Sequence, residues 1–505
     1  LEVVVTEDRY FLSSATKIPL LSPMNEAIRA LEPKALWNHF VDLNAVPRPS
    51  KKEERVIAFV KKFGEGLGLK TVVDHAGNVI IKKPGTKGKE GLKPVALQSH
   101  LDMVHQKNND TTFNFDTDGI RMKVEGDKVK AEGTTLGADN GIGVAAIMAL
   151  LASTDIPHPP LEALFTIDEE TGMTGAFELK GGMLDAHILL NLDTEEDNEL
   201  TIGCAGGLDV TASGSYKEEA AQAGAKAMRL VVNGLNGGHS GTDIHKGLGN
   251  ANKIMNRFLL NALDQGVRVA TIEGGSLRNA IPRESVCIIT VPTDQEHAFK
   301  ASFTELKTKI ISEYSTTDPD LKISLSPTES PAKVMALEDQ TRFLRAVQAC
   351  PNGIYRMSPD VEGLTQTSNN VARIEVKDGQ YKVLCLTRSS VNSEKLDEAN
   401  AIKAVFELIG AKVEFTGSYP GWIPRPEAKI VKLMSDIYRE RFKSEPHVLA
   451  CHAGLECGIL GTNYPEMEMI SFGPTIRGAH SPDEFVVISS VQKFWGYLLE
   501  VLARI

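Results

Sequence analysis

"LEALFTIDEE", residues 161–170, decides how this chain is read. An apolar, β-rich run breaks off into three consecutive acids, Asp168, Glu169 and Glu170. The run reads as a buried strand. Three carboxylates at its end repel one another unless solvent or a local positive charge holds them. Working outward, "NVIIKK" (78–83), "KPVALQSHLD" (93–102) and "HILLNLD" (187–193) have the same texture, and "DNGIGVAAIMALLAS" (139–153) has the length and the alanine and leucine content of a buried helix. Strands alternating with helices predict an α/β layer, a largely parallel sheet covered on both faces.

Beyond residue 205 the texture changes. "AMRLVVNGL" (227–235), "SVCIITVP" (285–292) and "YKVLCLTR" (381–388) read as strands, and "GNANKIMNRFLLNAL" (249–263) and "TRFLRAVQAC" (341–350) as helices. This is a second, α+β region. After "GSYPGW" (417–422) the first texture resumes with a helix, the loop "HAGLECG" (452–458), the strand-like "MEMISFG" (467–473) and a terminal helix. The expected organisation is therefore a first domain in two parts, 24–205 and 418–505, with 206–417 inserted. Residues 1–23 are read as an extension of uncertain origin; their acids and the lack of a basic start make a poor signal peptide. No internal repeat is visible.

A formal charge of −11 argues against nucleic-acid and membrane-surface partners, which favour basic patches. No apolar run approaches the ~20 residues needed to span a bilayer. Six cysteines (204, 287, 350, 385, 451 and 457) form no CxxC pair, which reads as reduced thiols and a cytoplasmic protein.

Strand ends carry the chemistry. "ALQSHLDMV" ends on His100 and Asp102, the opening stretch on Glu169 and Glu170, and "ILLNLD" on Asp193; "TTLGADNGIG" sets Asp139 at a helix start, and "GPTIRGAHSPDE" offers His480 in a Gly/Pro loop. Ligands of open α/β sheets gather outside the carboxyl ends of the strands. Each piece has an ordinary reading too: a strand exit, a solvated turn, a helix N-cap at Asp139, an exposed acidic loop after Asp193. As an ordered set they fit two divalent metal ions with imidazole and carboxylate ligands, zinc, manganese or cobalt, one carboxylate bridging. His100, Asp139, Glu170, Asp193 and His480 supply the ligands. Glu169 is left over as a general base, and Asp102, on the same face of an extended chain as His100, as the partner of its far N–H.

"LQSHLDMVHQKNND", "GTTLGADNGIG", "EETGMTGAF", "GCAGG", "GGHSG", "HKGLGNANK", "LRNAIPRE", "HAGLECG", "YPEMEM" and "GPTIRGAHSPDE" together resemble the bacterial aminoacyl-histidine dipeptidases, also called peptidase D or cytosol non-specific dipeptidases, of the di-zinc aminopeptidase/carboxypeptidase-like superfamily. The resemblance runs in order from about residue 33 to the end. It implies a di-zinc exopeptidase domain with a mixed, mainly parallel sheet and an inserted lid that forms a homodimer contact. It also implies His100 and Asp193 on one zinc, Glu170 and His480 on the other, and Asp139 on both, with cobalt or manganese as substitutes. Glu169 is then the base, and His239, in "NGGHSGTDI", polarises the scissile carbonyl; its other reading is an exposed histidine in a Gly-rich turn. Asn279 and Arg388 grip the substrate's carbonyl and carboxylate, although Arg388 also reads as a strand-end surface residue. His452 and Glu456 are candidates for contacting the amine, and Glu456 has a structural reading as well.

The implied reaction is hydrolysis of small dipeptides with a free amino terminus, including Xaa-His and β-alanyl-histidine. An N-acyl-amino-acid deacylase or a tripeptide aminopeptidase of the same architecture shares the metal residues and differs in the lid. A catalytically silent binding protein is the reading from another class, and the presence of Glu169 beside all five ligands argues against it.

Overall fold

Strands Val95–His100 and Leu161–Thr166 are buried along their whole length, as parallel strands covered on both faces must be. They pair in parallel, Val95 opposite Leu161 and His100 opposite Thr166, so both end at one edge. Ile188–Asn191 flanks the first of them, again parallel, and Glu468–Ser471 continues in the same sense. These four form the middle of an eight-stranded sheet. Its margin is antiparallel: Lys70–Val73 pairs with Val79–Lys83, which pairs with Leu161–Thr166. The sheet is therefore mixed with a parallel centre. The structure, a computed structural model, describes residues 23–505, so the expected extension lies outside the described residues except for Pro23.

Helix Ala138–Ala152 is buried at nearly every position because its residues are small and apolar all round. It packs between Val95–His100 and helix Lys34–Asn44, which turns Leu36, Trp37, Phe40, Val41 and Leu43 inward. The terminal helix Ile488–Arg504 and helix Lys429–Phe442 pack on the same core.

The strands between residues 206 and 419 build a separate nine-stranded sheet over its own apolar core. Its order resolves into two βαββαβ units of the ferredoxin-like type. One runs Lys226–Asn233, helix Ala251–Asn261, Arg268–Gly274, Ser285–Val291, helix Glu296–Glu313 and Lys322–Pro327. The other runs Gly206–Ser215, helix Leu337–Ala349, Thr365–Lys377, Gln380–Ser389, helix Asn392–Glu407 and Lys412–Tyr419. They meet where Arg268–Gly274 pairs antiparallel with Thr365–Lys377. The first unit is inserted after the first strand of the second, so this repeat of topology leaves no repeat in the sequence. Where the chain passes between the sheets, Cys204 and Trp422 exchange backbone hydrogen bonds of 3.0 and 2.9 Å.

Candidate active site

The parallel strands deliver His100, Asp102, Glu169, Glu170 and Asp193 to one edge of the first sheet. His100 is fully buried, its Nε2 3.1 Å from Asp139 Oδ1 and 3.5 Å from Asp193 Oδ1. The other oxygen of Asp139, Oδ2, lies 3.3 Å from His480 Nε2, which is also 3.0 Å from Glu170 Oε2. One aspartate thus shows one oxygen to a His100–Asp193 group and the other to a His480–Glu170 group. That is the disposition of a ligand shared between two cations, and in each group the donor atoms lie within 4.8 Å of one another.

Asp139 is not acting as the helix cap. It sits at the kinked start of its helix with φ −78° and ψ 112°, and the peptide to Asn140 is cis. The free amides there are satisfied by Glu484, whose carboxylate accepts from the backbone N–H of Leu136 (2.6 Å), Gly137 (3.0 Å), Ala138 (2.8 Å) and Asp139 (3.3 Å). Arg48, 1% exposed, donates to the carbonyls of Leu101 (3.1 Å), Asp102 (3.0 Å) and Gly137 (2.6 Å) and to Asn44 Oδ1 (3.0 Å). Two buried charges, one four residues after His480 and one four residues after helix Lys34–Asn44, therefore fix the backbone that carries Asp102 and Asp139. Neither residue stood out in the sequence: Arg48 lies in an unpatterned "PRPS", and Glu484 closes the stretch in which His480 drew attention.

Asp102 joins two strands. Its Oδ1 lies 3.4 Å from His100 Nδ1 and accepts from the Glu169 amide at 3.0 Å, while Oδ2 accepts from the Glu170 amide at 3.3 Å and from Ser50 Oγ at 2.8 Å. Asp168, the first of the three consecutive acids, turns away to the hydroxyls of Thr171 and Thr174. Its left-handed backbone (φ 54°) makes the turn that lets Glu169 and Glu170 face the edge.

Without a cation this edge is electrostatically frustrated. Burial, with Asp193, Glu456 and Glu170 around it, pushes the Glu169 carboxyl well above its ordinary range against the pull of His100. Burial and then Asp139 also raise the Glu170 carboxyl, whose buried Oε1 has no hydrogen-bond partner among the described residues. The His480 imidazole is pushed up to about 11 by its bonds to Asp139 and Glu170. Burial opposes the charged form of His100, but Asp193, Asp102 and Asp139 outweigh it and raise its pKa. An orphaned carboxylate oxygen among nitrogen and oxygen donors is what a hard or borderline metal ion needs.

The edge forms one wall of a cleft of about 1030 Å³. The facing wall, from the part of the chain between residues 206 and 419, holds His239, His245, Asn279 and residues 361–365. His239 stands on the two-residue strand Gly238–His239, paired with Ala280–Ile281, and the Ser240 amide donates to the Asn279 carbonyl at 2.8 Å. Its Nδ1 accepts from the amides of Gly241 (3.3 Å) and Thr242 (3.1 Å). The proton therefore belongs on Nε2, the nitrogen that Arg388 Nη2 also approaches, at 3.3 Å. Burial and the neighbouring Arg388 charge push the imidazole down to about 4, so it is neutral near pH 7. Arg388, 4% exposed, is no surface residue: it lies behind His239, Nη2 3.3 Å from Nε2. His452 lines the cleft, 2.8 Å from Ser368 Oγ.

Glu456 requires a correction. It opens helix Glu456–Asn463 and points under the sheet, 0% exposed. Its Oε2 accepts from Gln98 Nε2 (2.6 Å) and Thr166 Oγ1 (2.7 Å). Sealed there, and not on the cleft wall, it offers no oxygen to a substrate amine.

A model of peptidase family M20/M25/M40 matches residues 96–504. Over 476 residues the chain is 42% identical to the cytosol non-specific dipeptidase of Escherichia coli (strain K12), spanning 94% of this chain and 98% of that protein. The crystal structure of aminoacylhistidine dipeptidase from Vibrio alginolyticus is similar with a TM-score of 0.89 and 44% identity, over 95% of this chain and 98% of that one. The aminopeptidase PepT from Bacillus cereus, at 16% identity and a TM-score of 0.56 over 94% and 98% of the two chains, shares the fold. The chain belongs to peptidase family M20/M25/M40.

Proposed function

We propose that this protein hydrolyses dipeptides with a free amino terminus at the edge carrying Asp139, using two divalent metal ions. The observation that carries the reading is Asp139 itself, with His100 and Asp193 at one oxygen and His480 and Glu170 at the other. The names of the two most similar relatives described above, both dipeptidases, support the substrate class. The all-imidazole-and-carboxylate donor set favours zinc, with cobalt or manganese as substitutes. When bound, the ions supply charge that acidifies water and polarises a carbonyl.

The chain's own residues supply the rest. Asp102 fixes the tautomer of His100 by accepting from Nδ1, leaving Nε2 for a ligand's role. Glu169 takes the proton of the attacking water and passes it to the leaving amine nitrogen. His239 Nε2–H donates to the carbonyl oxygen as its charge grows. Asn279 holds that carbonyl from the same wall. The guanidinium of Arg388 receives the substrate's carboxylate, for which its planar fork is suited, and His452 lies beside the path of the bound dipeptide.

The protein acts in the cytoplasm on this reading, which the six free thiols support. No described helix is long and apolar enough to cross a membrane. It pairs as a homodimer through the second sheet, where strand Gly353–Met357 leaves Ile354, Tyr355 and Met357 between 43% and 48% exposed at an edge. A monomer mass in light scattering counts against the dimer.

The test is a panel of β-Ala-His, Gly-His, a tripeptide and N-acetyl amino acids, with and without chelator. Chelator-sensitive cleavage confined to the free dipeptides is the expected result. Cleavage of only the acylated amino acids moves the assignment to a deacylase, and preference for the tripeptide moves it to a tripeptide aminopeptidase.

A further inference from the structure

Arg388 carries a buried charge whose immediate partners are all neutral: Tyr419 Oη accepts from Nη1 at 2.8 Å, Ser240 Oγ lies 3.4 Å from Nε, and His239 Nε2 lies 3.3 Å from Nη2. The acid that feels this charge, Asp209, is paired with Arg278 at 3.1 Å. Tyr419 makes the shortest of these contacts, and its ring is wedged between both parts of the molecule. Across the second sheet it faces Gly207, where a Cβ would come within 2.5 Å of its Cε1. On the other side a Cβ at Gly454, in the loop before helix Glu456–Asn463, would come within 3.1 Å of its Cε2. The buried Lys395 donates to its backbone carbonyl. Two glycines and a lysine thus hold one phenol ring at the place where the chain crosses between the sheets.

We propose that Tyr419 determines selectivity for substrates with a free C-terminal carboxylate, by holding the Arg388 guanidinium in the orientation that receives it. An unheld arginine spreads over many rotamers and must order itself on binding. A phenol oxygen on Nη1 removes that freedom beforehand and, being neutral, leaves the charge for the substrate. The phenol O–H remains free to donate to the same anion. Because the ring also lies against Gly207 and Gly454, the grip is registered to both parts of the molecule. The inference rests on the reading of Arg388 as the carboxylate's partner, and the experiment separates the two.

In the full-length, metal-loaded protein, kcat/KM is measured for alanyl-alanine and for alanyl-alanine amide, which lacks the anion. Tyr419→Phe keeps the ring and removes one oxygen; it is expected to lower the acid-to-amide ratio about tenfold, the worth of one hydrogen bond to a charged group, through the KM of the acid. Gly207→Ala displaces the ring with its hydroxyl intact and is expected to lower the ratio as well. Arg388→Met is expected to abolish it. If Arg388→Met collapses the ratio and Tyr419→Phe leaves it at the parent value, Tyr419 has no such role and the reading of Arg388 stands. If Arg388→Met leaves the ratio unchanged, the carboxylate is bound elsewhere and the inference falls with that reading. A loss by the same factor on both substrates in Tyr419→Phe makes the residue mere packing and also overturns it.

Discussion

The two walls of the cleft are built to different standards of rigidity. On the first, Asp102, Glu484 and Arg48 are buried charges whose hydrogen bonds are spent on backbone amides and carbonyls of neighbouring segments. On the second, His239 depends on a pair of two-residue strands, and residues 361–364 lie in a connection between strands. Buried polar groups bonded to the backbone of several segments favour one arrangement, whereas short strands and surface connections lie at the low end of local stability. The contrast suits a division of labour: several ligands must meet within tenths of an ångström on one side, and different side chains must be admitted on the other.

The sharpest way to break this division is to remove the base. Glu169→Gln keeps size and hydrogen bonding and should lower kcat by about 1,000-fold, since a positioned base contributes that order. Metal content by elemental analysis should match the parent, because Glu169 is assigned no ligand role. Near-parental turnover would place the base elsewhere. Next in size is the rigid wall's fastening. Arg48→Met strands the carbonyls of Leu101, Asp102 and Gly137 in the interior and should cost about 3 kcal/mol in urea unfolding. It should also weaken metal affinity by at least about tenfold in chelator competition, the usual penalty for a lost outer partner. Arg48→Lys should recover only part of this, one ammonium in place of a fork that reaches three carbonyls. Unchanged affinity in both variants would mean that the ligand geometry does not depend on this arginine.

His239 tests the other wall. His239→Ala should reduce kcat by about 100-fold, the scale of one lost donor to a developing oxyanion, with KM and melting temperature close to the parent because the residue is only partly buried. A fall in stability matching that of Arg48→Met would erase the contrast between the walls.

How far the sequence revealed this follows from where the information sits. The cluster at the strand ends was legible because the strands are short apolar runs and the residue types after them change abruptly to His, Asp and Glu. The helix at 139–153 was legible for the same reason, by composition and length. Arg48 was not, because its importance comes from burial among carbonyls far away in the chain, which no local pattern records. Glu456 stayed between an amine contact and a structural role because "HAGLECG" has the composition of a loop, while its second half starts a helix that turns the carboxylate beneath the sheet. At Asp139 an N-cap stood as an equal alternative until Glu484, 345 residues later, was seen to take the amides. The paired βαββαβ units were invisible because one interrupts the other, which destroys any fixed period.

The smallest effect concerns the seam between the walls. His452 is 7% exposed and sits 2.8 Å from Ser368 Oγ of strand Thr365–Lys377. Burial, followed by the charges of Arg388, His239 and His245, pushes its imidazole from the ordinary 6.5 down to about 3. Between these values the unfolded chain binds a proton that the folded protein does not. The stability this histidine contributes is therefore complete above pH 6.5 and is lost as the pH falls toward 3. His239, pushed down to about 4, acts in the same sense. Carboxylates titrate in this range too, so the informative quantity is the difference between parent and variant. In His452→Gln, which keeps a polar group near Ser368 and cannot take up a proton, the acid-side slope of unfolding free energy against pH should be shallower, with the curves parallel above pH 7. Parallel curves throughout would mean that His452 is protonated as easily in the folded protein as in the unfolded chain, and that the seam is open to water where the geometry has it closed.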